Sequence, residues 1–461
     1  MKMSSRVGRR VCMQAVRRDW LHRPTQRKVW MLAAPMMLSN LTVPLVSLVD
    51  STVAGHLSHA GQLAAVAVGS AVYALPVWVF GFLRMGTIGF AAQASGRVDG
   101  QALRQLLAQA MLLALGLAGA VLLLSLPLLG TVLRLMEPSA TLDALTRTYL
   151  RIRLLGLPAA LLNAALVGWF LGMHNAGMAL TVTVVTNLAN IALNLLFVLG
   201  FHWDVAGIAA ASVCGEWLGV LAGLAAVPRQ LRRYPGPWQG EIMRTWSAWR
   251  PLLSVNRDIL IRSLVLQGVF FAVTVWGARL GSGVVAANAL LLNGLILAAF
   301  ALDGLANAVE ALSGAAIGAG RRLALRRALV VAGGWSLVGS VLFAACFGAA
   351  GRGFIDLQTD MASVRVIAYQ YLPYLALLPL IGVWSYLLDG LFVGATRASE
   401  MRNAMLLAGV VFVVLASGLR GWGNHGLWIA LLGFMLVRAG AMAWIARRIA
   451  LRGGWVARST D

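Results

Sequence analysis

Apolar runs long enough to cross a bilayer follow one another from about residue 29 to residue 446, and this repetition constrains the chain more than any other feature. A membrane helix needs about 20 residues at about 1.5 Å rise each. The composition agrees: 60% hydrophobic and 12% charged residues with a mean hydropathy of +0.80, where a soluble domain carries about 25% charge. The fold class is therefore an all-α polytopic membrane protein. Apolar runs and their breakers place twelve transmembrane helices at residues 29–56, 63–93, 102–134, 143–173, 176–200, 205–228, 250–279, 283–316, 324–350, 363–395, 399–419 and 425–446. Several exceed a bilayer's thickness, which implies tilt or extension beyond it.

A net charge of +22 invites a nucleic-acid reading, but its distribution argues against one. The basic residues gather in the N-terminal tail (Lys2, Arg6, Arg9, Arg10, Arg17, Arg18, Arg23, Arg27, Lys28), around Arg229–Arg250, at Arg321–Arg327, and at Arg447, Arg448, Arg452 and Arg458. These segments fall on one side of an alternating twelve-helix chain, and positive charge marks that side as cytoplasmic. Both termini are expected there, beside anionic headgroups, in the cell (inner) membrane. No cleaved signal peptide is expected, because a full-length span follows the basic tail. Cys12, Cys214 and Cys346 are too scattered for a disulfide framework or a metal site.

The chain also repeats itself. Gly168, Phe170 and Gly172 in the fourth span match Gly390, Phe392 and Gly394 in the tenth, each 222 positions later. Gly55 and Gly277 share that offset, while Gln93–Gly96 and Ala311–Gly314 match at a slightly shorter one. Two copies of six spans have the same membrane orientation, the parallel-repeat architecture of some secondary transporters. The expected organisation is a basic tail over residues 1–28, an N-lobe over 29–228, a cytoplasmic linker over 229–249, a C-lobe over 250–446 and a second tail over 447–461.

With the repeat established, the chain resembles the multidrug and toxic compound extrusion (MATE) family, specifically its DinF-like branch. The matching segments are Leu32-Ala-Ala-Pro35-Met-Met-Leu-Ser-Asn40-Leu-Thr-Val-Pro44, Leu48-Val-Asp50-Ser-Thr-Val-Ala-Gly55-His56-Leu57, Asn256-Arg-Asp258-Ile-Leu-Ile-Arg262-Ser, Leu302-Asp303-Gly304, Leu388-Asp389-Gly390-Leu-Phe-Val-Gly394-Ala-Thr396-Arg397 and Glu400-Met-Arg402-Asn403. The likeness covers residues 29 to 450. It implies two six-helix lobes, alternating access, and export of organic compounds driven by inward proton or sodium flow.

Asp50 stands in an otherwise uncharged stretch from Val29 to Gly55. A carboxylate within a span costs roughly 2.5–3.5 kcal/mol on insertion scales and commonly marks an ion or proton pathway. In the fifth span Asn187, Asn190 and Asn194 share one helical face, rising to the same outer depth. The resemblance marks Asp50, Asn190 and Asn194 as cation-site positions, although many relatives carry aspartate where this chain has Asn194. One carboxylate fewer favours a proton over sodium, which gains from several hard oxygen ligands. Burial in a closed cavity disfavours the charged form of Asp50, and Pro44 is a weak point at which the first span could bend on protonation. Arg153 is a rival: paired with it, Asp50 would be structural. Glu216 could instead satisfy Arg153 or Arg84.

In the C-lobe, Arg257, Asp258, Arg262, Asp303, Glu310 and Asp389 fall at one depth and are expected to pair into a bracing or gating network. Asp303 and Asp389 are second-site candidates. Tyr371, Tyr374, Trp384 and Tyr386 could line a substrate path or anchor the interface, and Asn187, Glu216, Tyr374 and Tyr386 are candidates for a substrate or secondary site. His56 and His59 fall at the first external turn.

These features point to a secondary active exporter of amphipathic or cationic organic molecules, coupled to H⁺ rather than Na⁺. The partners expected are small organic substrates and the bilayer, with no nucleic acid and no obligate protein partner, the chain acting as a monomer. The alternative is a lipid or lipid-linked oligosaccharide flippase of the same superfamily, against which an acidic N-lobe site argues. An enzyme finds no support, since no His-Glu-x-x-His motif, metal-ligand cluster or phosphate-binding loop is present; no cofactor and no metal are expected.

Overall fold

The computed structural model describes residues 14–55, 59–135 and 140–456. Lys2, Arg6, Arg9, Arg10, Cys12, His56, Leu57 and Arg458 lie outside them. The described residues are helical with no strand, in the order α1 (Arg23–Gly55), α2 (Ala60–Val79), α3 (Phe82–Gly96), α4 (Gly100–Leu135), α5 (Ala140–Leu154), α6 (Leu157–Gly172), α7 (Ala176–Leu195), α8 (Asp204–Leu231), α9 (Trp246–Arg279), α10 (Ser282–Gly318), α11 (Arg322–Asp356), α12 (Ala362–Gly394), α13 (Ala398–Gly418) and α14 (Gly423–Leu451). Among the described residues, ten helices are long and apolar enough to cross a membrane, with α2 and α3 counted as one. The pair α5–α6, bent by 43°, makes an eleventh. The expected first span falls on α1, a further helix of 33 residues, so every one of the twelve expected spans is helical.

Two of the expected spans are interrupted rather than continuous. The second breaks between α2 and α3 at Phe80–Gly81, just after Pro76. The fourth breaks at Leu155–Gly156, just before Pro158. Proline removes a helical hydrogen bond and crowds the preceding turn, so both breaks have a local cause. The fifth span ends in a π-turn, Leu196–Gly200.

The chain forms two compact units. One joins the stretch ending at Met37 to the chain from Ser254 onward, and the other comprises Leu38–Leu253. The division thus falls within α1. In the first unit the buried Val29, Leu32, Ala33 and Met36 of α1 belong to the core. The basic tail is anchored in this unit too: Asp19, fully buried, lies between Arg326 at 3.0 Å and Arg327 at 3.4 Å, and Trp20 packs on Trp335 at 5.6 Å. In the other unit, the segment after α8 packs along the start of α4, where Arg104 donates to the Tyr234 carbonyl at 2.9 Å.

The two units are built alike. In Leu38–Leu253, α3 packs on α6, α4 on both, and α8 on α6 and α7. In the other unit, α10 packs on α12, α11 on both, and α14 on α12 and α13. The repeated glycines explain the closeness of these pairs. A Cβ on Gly168 would lie 2.5 Å from the Arg84 carbonyl oxygen, and one on Gly390 2.7 Å from that of Ala306. Likewise Gly172 faces the Ile88 oxygen at 2.7 Å and Gly394 the Glu310 oxygen at 2.5 Å. Small residues of this kind let membrane helices approach backbone to backbone.

These pairs correct the register proposed for the second and eighth spans. Arg84 and Ala306, like Ile88 and Glu310, are 222 positions apart, and α3 ends at Gly96 where α10 ends at Gly318. Left-handed residues close both helix pairs at the same offset: Val98 (φ 58°) with Gly320 (φ 71°), and His174 (φ 60°) with Thr396 (φ 55°). The match of Gln93–Gly96 to Ala311–Gly314 is therefore a slip of one helical turn. Because overpacking a tight contact costs typically about 1–3 kcal/mol, Gly168→Val and Gly390→Val should each lower the midpoint of thermal unfolding in detergent by several degrees. Gly418→Ala, at a position with open space around it, should leave that midpoint unchanged.

Candidate functional site

In the unit Leu38–Leu253, α1 and α7 meet through two side-chain hydrogen bonds. Asn187 Nδ2 donates to Thr42 Oγ1 at 2.6 Å, and Asn194 Nδ2 donates to Asp50 Oδ1 at 2.7 Å. The pairs occur in the same order along both helices, eight residues apart on α1 and seven on α7, so the helices run parallel, as first and fifth spans must. Asn190, one turn from each of its fellows, faces α8 instead and donates to Ser212 Oγ at 2.8 Å. Asn190 and Asn194 are buried, Asp50 half-buried. The Oδ1 atoms of both asparagines are buried without a hydrogen-bond donor.

Asp50 forms no ion pair among the described residues; it rests on an amide. Of the partners open to Arg153, the structure pairs it with Glu216, Nη2 to Oε1 at 2.7 Å and Nη1 to Oε2 at 2.9 Å. Tyr73 completes this cluster. Its ring lies 3.8 Å from the guanidinium carbon, and its hydroxyl donates to Glu216 at 3.3 Å. Asn163 binds the Glu216 carbonyl at 2.8 Å. The ion pair sits at the break between α5 and α6: a Cβ on Gly156 would be 2.9 Å from Arg153 Nη1. The π-turn Leu196–Gly200 follows Asn194, the partner of Asp50, and discontinuous helices are where transporters commonly place their sites.

In the other unit, four of the charges expected to form one network fall into two separate groups. Asp258 Oδ1 accepts from Arg257 at 3.1 Å and from Arg402 at 2.7 Å. Asp389 Oδ2 accepts from both Arg262 and Arg438. Arg438 is 1% exposed, and its Nε and Nη1 have no acceptor. Tyr386 lies with its ring 5.9 Å from the Arg438 guanidinium. Glu310 is buried in α10, the helix that also carries Asp303. Tyr374 belongs to a separate aromatic group, bonded to His425 Nδ1 at 3.0 Å and stacked on Tyr371 and Trp428. Trp384 is exposed.

The description MatE names the family model that this chain matches, over residues 35–196 and 259–418. The chain belongs to the MATE family. It is 42% identical over 437 residues to DNA damage-inducible protein F of Escherichia coli K12, covering 94% of each chain, which places it in the DinF-like branch. It is also 28% identical to the probable multidrug resistance protein NorM of Deinococcus radiodurans, over 88% of this chain and 91% of that one. A solved outward-facing structure of a multidrug resistance MATE family transporter shares the fold, with a TM-score of 0.82 at 19% identity over 93% of this chain and 96% of that one. The chain is thus a multi-pass membrane transporter and not an enzyme.

Several residues of this MATE chain escape a reading of the sequence. Ser212, Tyr73 and Asn163 join the N-terminal cluster, and Arg402 and Arg438 the C-terminal charges. Arg438 did carry a signal, being 222 positions after Glu216, so the sixth spans of the two units carry charges of opposite sign at the same position, Arg438 buried and Glu216 half-buried. Removing one member of a buried ion pair leaves an uncompensated charge, at a cost of about 3–5 kcal/mol. Arg153→Met and Glu216→Met should therefore each destabilise the protein strongly in nanodiscs. The double substitution should recover most of the loss, giving a large favourable coupling in a thermal-unfolding cycle.

Proposed function

We propose that this MATE protein is a proton-coupled exporter of amphipathic or cationic organic molecules, in which Asp50 carries the coupling proton. It acts by alternating access as a monomer in the cell (inner) membrane, with both termini in the cytoplasm as its clustered basic segments favour. The observation that supports Asp50 most is its partner. An ionised Asp50 accepts from Asn194 Nδ2. A protonated Asp50 has a hydroxyl to donate, and Asn194 Oδ1, buried and without a donor, is an acceptor on the same side chain. The pair can be satisfied in both protonation states, with no cation required.

The cycle follows from charge. A cationic substrate is favoured while Asp50 is ionised; a proton arriving from outside removes that counter-charge, and substrate leaves outward. Loss of the carboxylate's charge also lets α1 repack beyond Pro44. Inward release of the proton resets the site. Coupling requires only that proton and substrate favour different states. Arg153 is occupied by Glu216, which leaves Asp50 outside a salt bridge and free to exchange a proton. One carboxylate among amide and hydroxyl oxygens offers sodium little charge, whereas a proton needs one titratable group.

Purified protein in vesicles, with a cationic dye and separately imposed proton and sodium gradients, tests this. Wild type should transport on a proton gradient, and Asp50→Asn should lose at least most of that transport. Sodium-driven transport without proton dependence, or full activity in Asp50→Asn, contradicts it. Asn194→Asp adds a second carboxylate and should make transport respond to a sodium gradient.

A further inference from the structure

Away from the transport cluster, a cavity of about 470 Å³ lies between the start of α13 and the end of α14, lined by Arg397, Glu400, Asn403, Trp444, Arg448 and Arg452 among others. A second, of about 380 Å³, adjoins it and shares Trp444, Arg448 and Arg452, adding Arg447. The acidic member is already engaged: Glu400 accepts from Arg397 at 3.2 Å and from Ser399 at 2.8 Å. Arg397 is likewise committed, donating to the Gly454 carbonyl at 3.1 Å with its guanidinium 5.7 Å from the Trp455 ring. Arg447, Arg448 and Arg452 form no ion pair among the described residues. Arg448 is held over the Trp444 ring at 5.5 Å, which fixes its direction without using its N–H donors.

We infer that these cavities hold the headgroup of an anionic phospholipid, its phosphodiester bound by Arg448 and Arg452. Guanidinium groups pair with phosphate oxygens bidentately, and basic pockets at the ends of membrane helices suit such headgroups. The surroundings favour a lipid over a free anion. Trp444 is 62% exposed where the apolar part of α14 gives way to its arginines, the depth at which tryptophan marks a membrane interface. On α13, which forms the other wall, Leu406, Leu407, Val410, Val413 and Val414 are exposed in a continuous apolar stripe along which acyl chains can lie. The site is independent of the transport reading.

Native mass spectrometry of the full chain, titrated with phosphatidylglycerol or with phosphatidylethanolamine of the same acyl chains, tests the inference. Phosphatidylglycerol should be retained in clear preference. Arg448→Gln/Arg452→Gln should weaken it about thirtyfold, the worth of two basic residues near an anionic surface. Arg232→Gln/Arg233→Gln, removing the same charge from another exposed segment, should leave binding intact, as should Asp50→Asn. Equal loss in both double variants would reduce the effect to diffuse charge and overturn the site. Equal retention of phosphatidylethanolamine would overturn it too, as would displacement of the lipid by inorganic phosphate.

Discussion

A charge in an apolar interior must be met by an opposite charge or by fixed dipoles, and this requirement sorts the buried groups of the protein. Arg153 and Glu216 answer each other directly, and Asp389 answers two arginines at once. Asp258 is held between Arg257 and Arg402. Asp50 differs from these three, because its hydrogen-bond partner is a neutral amide. Paired charges brace the helices that carry them; a carboxylate met only by dipoles keeps the option of taking up a proton. The physical contrast between these environments, more than the presence of an acid in a span, separates a candidate coupling group from structural ones.

The scaffold beneath these charges is symmetric, while the charges are not. Glycines on α6 and α12 bring the helices of each unit to backbone contact at the same offset, and the left-handed residues that end them recur at that offset. At the same spacing Asp50 corresponds to Ala272, Arg153 to Leu375, and Asp389 to Val167. Glu216 corresponds to Arg438, so this position of the sixth helix carries opposite charge in the two units. Duplication thus preserved what close packing requires and left the polar chemistry free to diverge. The helix breaks diverged too, since α10 and α12 run unbroken where their counterparts are interrupted.

Much of this was legible in the sequence for physical reasons. Long apolar runs specify membrane helices, and the glycine-aromatic-glycine motif recurs because close helix approach tolerates no side chain. The asparagine face of α7 followed from helical spacing, though it splits: Asn187 and Asn194 turn to α1, Asn190 to α8. The one-turn slip in α3 and α10 arose because a shift of four residues returns to the same helical face and so leaves the pattern unchanged. Ser212, Tyr73 and Arg402 were hidden because each acts across a helix interface far apart in sequence. The breaks at Gly81 and Gly156 were marked by neighbouring prolines, but a long apolar run reads as continuous when hydropathy alone is followed.

In the function proposed for the protein, exchange of proton for substrate is a competition at one carboxylate, not a rearrangement of a charge network. That competition is directly observable. In weakly buffered detergent solution with a pH indicator, adding a saturating cationic substrate to the purified protein should release a proton into solution, and Asp50→Asn, which has no ionisable group there, should bind the substrate more weakly and release no proton even at concentrations that saturate it. Proton release of the same size from Asp50→Asn would contradict the assignment of the coupling proton to Asp50.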